Sequence, residues 1–339
     1  MKTILLKINP KKPQPSLIQQ AATLIKQGQL VAFPTETVYG LGADAFNTQA
    51  VQNIFKAKGR PADNPLIVHI AKKKEFFNLT THAPALTKKL IQKFWPGPLT
   101  IVCWKNDHIP DIVTAGLPKV ALRMPKNNIA LHLITAAGTP IAAPSANLSG
   151  KPSPTTAEHV LEDFHNAIPC IIDGGKTNHG IESTVLDITT QPPTLLRPGS
   201  ITKEQLEQVI GTITLHPHLK TPTKKTKKPA SPGMKYRHYS PTAPVILVIG
   251  KKAHERLTLL AQTYRKKGKN VGIISTKRIT PETVIIKHPK HYAQQLYAAF
   301  RRFDAEKKDV ILVEGIAEQG LGLSIMNRIT KAASKIIKT

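Results

Sequence analysis

Acidic residues are scarce in this 339-residue chain: 21 Asp+Glu face 48 Lys+Arg, a formal charge of +27. Between Gln208 and His254 there is no acidic residue at all. Such a balance makes a polyanion, nucleotide phosphate or RNA, the natural partner, the plainer alternative being a surface of merely solvated lysines. Because most of the surplus is Lys rather than Arg, it speaks for charge more than for geometric readout. Aromatics are sparse at 5%, which leaves little for base-stacking platforms. No run approaches the roughly 20 apolar residues that span a bilayer, and the short apolar stretch Met1–Lys7 is broken by charges, so no membrane or secretory role is expected. Two cysteines, Cys103 and Cys170, lie far apart with no metal or redox spacing; they read as core residues of a protein from a reducing cytosol. Neither a GxxxxGK[ST] loop nor a strand-linked GxGxxG is present, so the standard phosphate cradles are excluded too.

What is there is a succession of apolar strands and amphipathic helices. Spacing predicts a helix over 16–27, with a Ser16/Gln19 capping box and a stop at Gly28, then a strand Leu30–Phe33 emptying into a polar loop, Pro34–Gly42. A helix near 48–58, a strand Leu66–Ile70, a helix 85–94 and a rigid Trp95–Pro98 turn follow. Strands are expected at Thr100–Trp104, Val120–Met124 and Ile141–Ala143, with a helix 128–137 before the last. A helix at 156–164, strands Ile171–Asp173 and Ser183–Ile188, and a capped helix 202–210 close the first part. Segment 216–233 is Pro-, Lys- and Thr-rich, with Leu219 its one large apolar residue; that is a basic linker. From Val245 strands and helices alternate again: strands Val245–Ile249, Val271–Ser275, 283–287 and Val310–Val313, helices 253–266, 291–303 and 325–337. The fold class is α/β in two domains: 1–212, a linker over 213–242, and a smaller parallel-sheet domain over 243–339.

Chemistry-bearing residues recur where strands end, the place where α/β scaffolds put their sites. Loop 34–42 holds Thr35, Glu36, Thr37 and Tyr39 between two glycines. Lys56, Lys58 and Arg60 make a cationic corner suited to phosphate oxygens, though cations at a helix C-terminus also simply oppose its dipole. His69 and Arg123 interrupt apolar strands; a charge such as Arg123 must be paired there or bind an anion. Ser145 and Asn147 face one ligand as neutral hydrogen-bonders, and no nucleophile elbow surrounds Ser145. Ser183 and Arg197 repeat the theme.

Seven ordered motifs, PTETVYGLG (34–42), KAKGRPADNPLIVHI (56–70), WPGPLTIV (95–102), ALRMP (121–125), APSANLSGKPSPT (143–155), GIESTV (180–185) and LLRPG (195–199), resemble the YrdC-like domain. With GMKYRHYSP (233–241) and the second α/β domain, the whole chain resembles the long, two-domain form of the L-threonylcarbamoyladenylate synthase family. The resemblance implies a YrdC-like open twisted α/β domain followed by a smaller Rossmann-like parallel-sheet domain. It implies a cytoplasmic nucleotidyltransferase that joins L-threonine, bicarbonate (or CO2) and ATP into threonylcarbamoyl-AMP, releasing pyrophosphate. Mg2+ bound through the ATP phosphates is the implied cofactor. The product feeds threonylcarbamoyladenosine formation on ANN-decoding tRNAs, through a downstream tRNA threonylcarbamoyl transferase complex, and tRNA itself is a further implied contact.

Carried onto this sequence, the resemblance implies a threonine site of Thr37, His69, Arg123, Ala143 (through its backbone) and Ser183. It implies an ATP site of Arg60, Asn64, Lys119, Ser145, Ser153, Arg197 and Tyr236. Lys119 stands where the family often has a small hydroxyl residue. Lys58 with Arg60 forms the family's KxR element and Ser145 with Asn147 its SxN element, the implied catalytic set. Positioning and charge neutralisation, with no covalent nucleophile, are what phosphoryl chemistry of this kind asks for. Two other readings remain: a non-catalytic RNA-binding protein with a basic surface, and the carbamoyl-transfer enzyme of hydrogenase maturation, whose cysteine-rich zinc modules this chain lacks.

Overall fold

The computed structural model describes residues 2–220 and 239–339. Residues 221–238 of the expected 213–242 linker, with Tyr236, lie outside the described residues. The chain divides into two compact units. The first comprises Met1–Ser149, Pro154–Asn178 and Glu182–Tyr236. Its elements are β1 (Ile4–Lys7), α1 (Pro15–Lys26), β2 (Val31–Phe33), β3 (Gly40–Asp44), α2 (Thr48–Lys58), β4 (Ile67–His69), α3 (Glu75–Asn78), α4 (Leu86–Phe94), β5 (Leu99–Trp104), α5 (Asp111–Thr114), β6 (Lys119–Arg123), α6 (Asn128–Ala137), β7 (Ile141–Ala142), α7 (Ala157–Phe164), β8 (Cys170–Asp173), β9 (Thr184–Asp187), β10 (Thr194–Arg197), α8 (Lys203–Ile210), β11 (Thr214–Leu215) and α9 (Pro217–Lys220). The strands form one 11-stranded sheet in the order β1-β8-β2-β3-β7-β4-β6-β5-β9-β10-β11, mixed in direction.

Local signals set the helix ends. Asn47 caps α2 by accepting from the Ala50 amide, and Gly59 stops it at φ 59; Asn127 and Gly138 do the same for α6. Thr202 and Gln205 make a full capping box on α8. At α1 the expected Ser16/Gln19 box is absent: Gln14 is the N-cap without a side-chain bond, and Pro15 opens the helix, where its missing N–H costs nothing. The stretch Gly40–Gly42 is strand rather than loop, because Val31, Ala32 and Phe33 pair with it antiparallel. Ile4–Lys7 is likewise an unforeseen strand, laid parallel on β8.

Alternation along the central strands separates two faces. Val68, Ile101, Cys103, Val120, Leu122, Leu186 and Leu195 belong to the main core. Ile67, Val102, Ala121, Val185 and Leu196 form a separate small apolar cluster on the opposite face. By the same alternation His69, Thr100, Lys119, Arg123, Ser183 and Asp187 share that second face. A patch of five apolar side chains therefore lies ringed by polar ones.

The second unit comprises Gly150–Ser153, His179–Ile181 and Arg237–Thr339. Its elements are β12 (Val245–Ile249), α10 (Ala253–Lys266), β13 (Val271–Ser275), β14 (Val284–Ile285), α11 (Pro289–Ala305), β15 (Val310–Glu314), α12 (Leu321–Ala332) and β16 (Ala333–Lys338). The five strands are parallel in the order β14-β13-β15-β12-β16. A helix over 325–337 was expected; instead α12 ends at Ala332 and the chain turns straight into β16, whose Lys335–Lys338 pair with Ile246–Ile249 of β12. The strand wins because β12 would otherwise present a bare edge.

Candidate functional site

The site grows from the β2–β3 loop. Thr35 ties the loop to itself: its hydroxyl donates to Val38 O at 2.7 Å and accepts from the Thr37 amide at 3.1 Å. With that proton committed, the 2.8 Å contact between the two threonine hydroxyls has Thr37 as donor. Thr37 Oγ1 then accepts from Arg123 Nη1 at 3.0 Å. Thr37, fully buried, thus faces the guanidinium, while Thr35 serves the turn. Tyr39 is taken up elsewhere, donating to Gly175 O at 2.7 Å and accepting from the Gly174 amide.

Arg123 ends β6 beside His69 at the end of β4, the two being register partners. Glu36, unassigned from the sequence, supplies the counter-charge: its Oε2 lies 2.7 Å from Arg123 Nη2. All three groups are nearly inaccessible, at 3% for Glu36, 3% for Arg123 and 4% for His69. The His69 ring sits edge-on to Phe33. Burial, reinforced by the nearby Arg123 charge, pushes its pKa down to about 3, so the ring is neutral near pH 7 and no proton carrier there. Its Nδ1 has no hydrogen-bond partner. Ala143, the fifth expected threonine contact, follows β7, which pairs with β4; its amide is spent on Ile67 O at 2.9 Å.

Ser183 stands just before β9 on the same face. Its hydroxyl meets Thr100 Oγ1 at 2.8 Å and accepts from Arg197 Nη2 at 3.1 Å, while Arg197 Nε holds the Ser183 carbonyl. The turn after Arg197 allows this by a close approach: a Cβ on Gly199 would lie 2.3 Å from the Thr184 amide.

The expected nucleotide residues form a second group. Lys58 Nζ donates to the carbonyls of Ser145 and Asn147, clamping the SxN loop to the end of α2, and Ser145 Oγ donates to Asn147 Oδ1. Arg60 Nη2 braces its own loop through Asn64 O at 2.9 Å and Pro65 O at 3.2 Å. Asn64 is fully buried, yet its side-chain oxygen and nitrogen have no partner, a deficit that points to a ligand. Lys119 pairs with Asp187 at 3.0 Å and lies 5.0 Å over the Trp104 ring. Four residues along a strand place it about 13 Å from Arg123. Ser153 is buried in the segment grouped with the second unit. Sequence reasoning missed Glu36, Thr100 and Asp187: each is an ordinary polar residue until its partner, distant in sequence, is known.

Residues 23–199 match the family described as "Telomere recombination" (Sua5_yciO_yrdC), and residues 201–334 match "Threonylcarbamoyl-AMP synthase, C-terminal domain". The chain is 50% identical over 326 residues to a threonylcarbamoyl-AMP synthase of Pyrococcus abyssi, covering 95% of each chain. It is also 50% identical over 333 residues to one of Bacillus subtilis, covering 93% of this chain and 92% of the other. The crystal structure of P. abyssi Sua5 complexed with L-threonine superposes with a TM-score of 0.96 at 48% identity, covering 99% of this chain and all of that one. With both of its parts matched in order, and at this identity over nearly its full length, the chain belongs to the threonylcarbamoyl-AMP synthase family.

Proposed function

We propose that the buried cluster of Arg123, Thr37, His69, Ser183 and the Ala143 backbone is the threonine subsite of this synthase, and that Arg60, Asn64, Lys119, Ser145 and Arg197 serve ATP. The reaction joins L-threonine, bicarbonate and ATP into threonylcarbamoyl-AMP and pyrophosphate. The observation that carries the reading is the ring of polar groups on one sheet face around the Ile67, Val102, Ala121, Val185 and Leu196 patch. Arg123 and Lys119 stand at opposite ends of it, and the buried His69 Nδ1 there lacks a partner.

Each group has a task suited to its state. Arg123 offers charge-assisted bonds to the threonine carboxylate. Neutral His69 and the hydroxyls of Thr37 and Ser183 orient the amine and the side-chain hydroxyl. The carbamate formed on the amine attacks the α-phosphate in line; the Lys58-clamped loop presents Ser145 and Asn147 to that exchange, and Arg60 and Arg197 neutralise phosphate charge. Magnesium enters on the ATP as part of the substrate. Among the described residues no three His, Cys, Asp or Glu side chains gather into a cage, and the largely cationic donor set suits a metal carried on phosphates. The product goes to an enzyme that transfers threonylcarbamoyl to tRNA, and the +27 charge suits contact with tRNA at that hand-over. No helix among the described residues is long and apolar enough to cross a membrane, which suits work beside cytoplasmic tRNA.

Threonine- and bicarbonate-dependent pyrophosphate release from ATP tests the reaction, and two variants test the site. Arg123→Ala should raise the threonine KM at least about tenfold with ATP binding near wild type; Arg60→Ala should do the reverse. Equal effects of each variant on both ligands would refute the division.

A further inference from the structure

Glu36 is the counter-charge of Arg123, yet its environment asks for a further partner. The carboxylate is 3% exposed, and neither oxygen has a hydrogen-bond partner. Arg123 Nη2 is 2.7 Å from Oε2, but that atom too is without a hydrogen bond: the contact has the distance of an ion pair without the direction of a hydrogen bond. Backbone bonding fixes the residue in place, since the Glu36 carbonyl accepts from the Asn178 amide at 3.1 Å and its neighbour Thr37 is held by Arg123. A buried carboxylate with both oxygens unsatisfied is costly. Here a buried cation, also short of a bond, stands beside it. A carboxylate without hydrogen bonds, beside a guanidinium whose Nη2 still lacks one, complements a small zwitterion whose carboxylate takes Arg123 and whose ammonium takes Glu36.

On the threonine subsite proposed above, we infer that Glu36 recognises the threonine ammonium and accepts its proton. An ammonium nitrogen has no lone pair and cannot attack carbon. Transfer of one N–H proton to a Glu36 oxygen breaks that N–H bond, forms an O–H bond and leaves a neutral amine. The amine lone pair then forms a C–N bond to the bicarbonate carbon; the bicarbonate hydroxyl and a second amine proton leave as water, giving the carbamate. His69 is kept neutral by burial beside Arg123 and offers an ammonium no opposite charge, whereas the Glu36 carboxylate, with both oxygens free of hydrogen bonds, attracts it and stands ready for its proton.

The alternative is that Glu36 only holds Arg123 in position, and a ligand without an amine separates the two. 3-Hydroxybutyrate keeps the carboxylate and hydroxyl of threonine but has no nitrogen. Titration calorimetry on the full chain should show wild type favouring L-threonine over 3-hydroxybutyrate at least about tenfold, and Glu36→Gln reducing that preference to less than about threefold. Glu36→Asp, which keeps the charge, should retain more of it. Turnover at saturating threonine should fall at least about a hundredfold in Glu36→Gln. A preference unchanged in Glu36→Gln, or both ligands weakened alike, overturns ammonium recognition while leaving the Arg123 assignment standing. So does a wild type that binds the two ligands equally, a result that does not depend on how the variants fold. A loss confined to KM overturns the proton transfer. If wild type binds neither ligand, the threonine subsite and this inference fall together.

Discussion

Burial that keeps the His69 ring neutral also makes the fold sensitive to acid, and the sign follows from which state takes the proton. In the unfolded chain His69 protonates below its ordinary value of about 6.5; in the folded chain it stays neutral down to about 3. Between those values the unfolded state binds more protons, so stability rises with pH, is complete above about 6.5, and erodes below it by up to about 1.4 kcal/mol per pH unit. From pH 6.5 to 4.5, wild type should lose about 2–3 kcal/mol more than His69→Gln in denaturant titrations; parallel losses would mean the ring is not buried neutral. The cysteines behave as the sequence suggested. Cys103 and Cys170 are buried free thiols, with burial pushing their pKa values up to about 11 and about 12. Alkylation at pH 8 should therefore be slow until the chain is unfolded.

At the scale of elements, the site depends on how β10 returns to β9. Gly199 lets the turn after Arg197 lie against the Ser183–Thr184 backbone, so that Arg197 reaches both the carbonyl and the hydroxyl of Ser183. Gly199→Ala should cost about 1–3 kcal/mol and raise the threonine KM through displaced Ser183; a lowered melting temperature with an unchanged KM would remove Ser183 from the site. Which elements were legible follows from how local their causes are. Helices α2, α6 and α8 could be placed because an Asn or Thr cap and a glycine stop lie within a few residues of each end. Strand β3, Gly40–Asp44, could not, since two glycines hide any alternation and only its pairing with β2 and β7 makes it a strand. Ala333–Lys338 continued an apolar helical spacing, and its parallel partner β12 lies some ninety residues upstream. The site was legible to the same degree. A cation breaking into an apolar strand marked Arg123 and a lone imidazole marked His69. Glu36, Thr100 and Asp187 gain meaning only from strand neighbours that no short window contains.

At the scale of the whole molecule, the second unit is not one continuous piece of chain. It takes in Gly150–Ser153 and His179–Ile181 along with Arg237–Thr339, and the contacts inside the unit are specific. Arg301, 6% exposed on α11, donates from Nε and Nη2 to Pro152 O at 3.1 and 2.7 Å, and the Ser240 amide donates to Gly150 O at 2.9 Å. Gly180 adopts φ +75, with room for no Cβ: one would lie 2.4 Å from Ala293 O. A cut in the chain near residue 212 would therefore separate Arg301 from its acceptor, leaving a buried guanidinium without its partner carbonyl. Arg301→Ala in the full chain removes the same fork without the cut. Losing a charge-assisted bond and stranding the Pro152 carbonyl should cost about 1–3 kcal/mol. It should also speed amide exchange at Lys151 and Ser153 while exchange within α2 stays as in wild type. Arg301→Lys, which keeps the charge but loses the two-toothed grip, should fall between. If exchange at 151 and 153 is the same in all three proteins, Arg301 does not hold this segment, and the grouping of Gly150–Ser153 with the second unit has no energetic content.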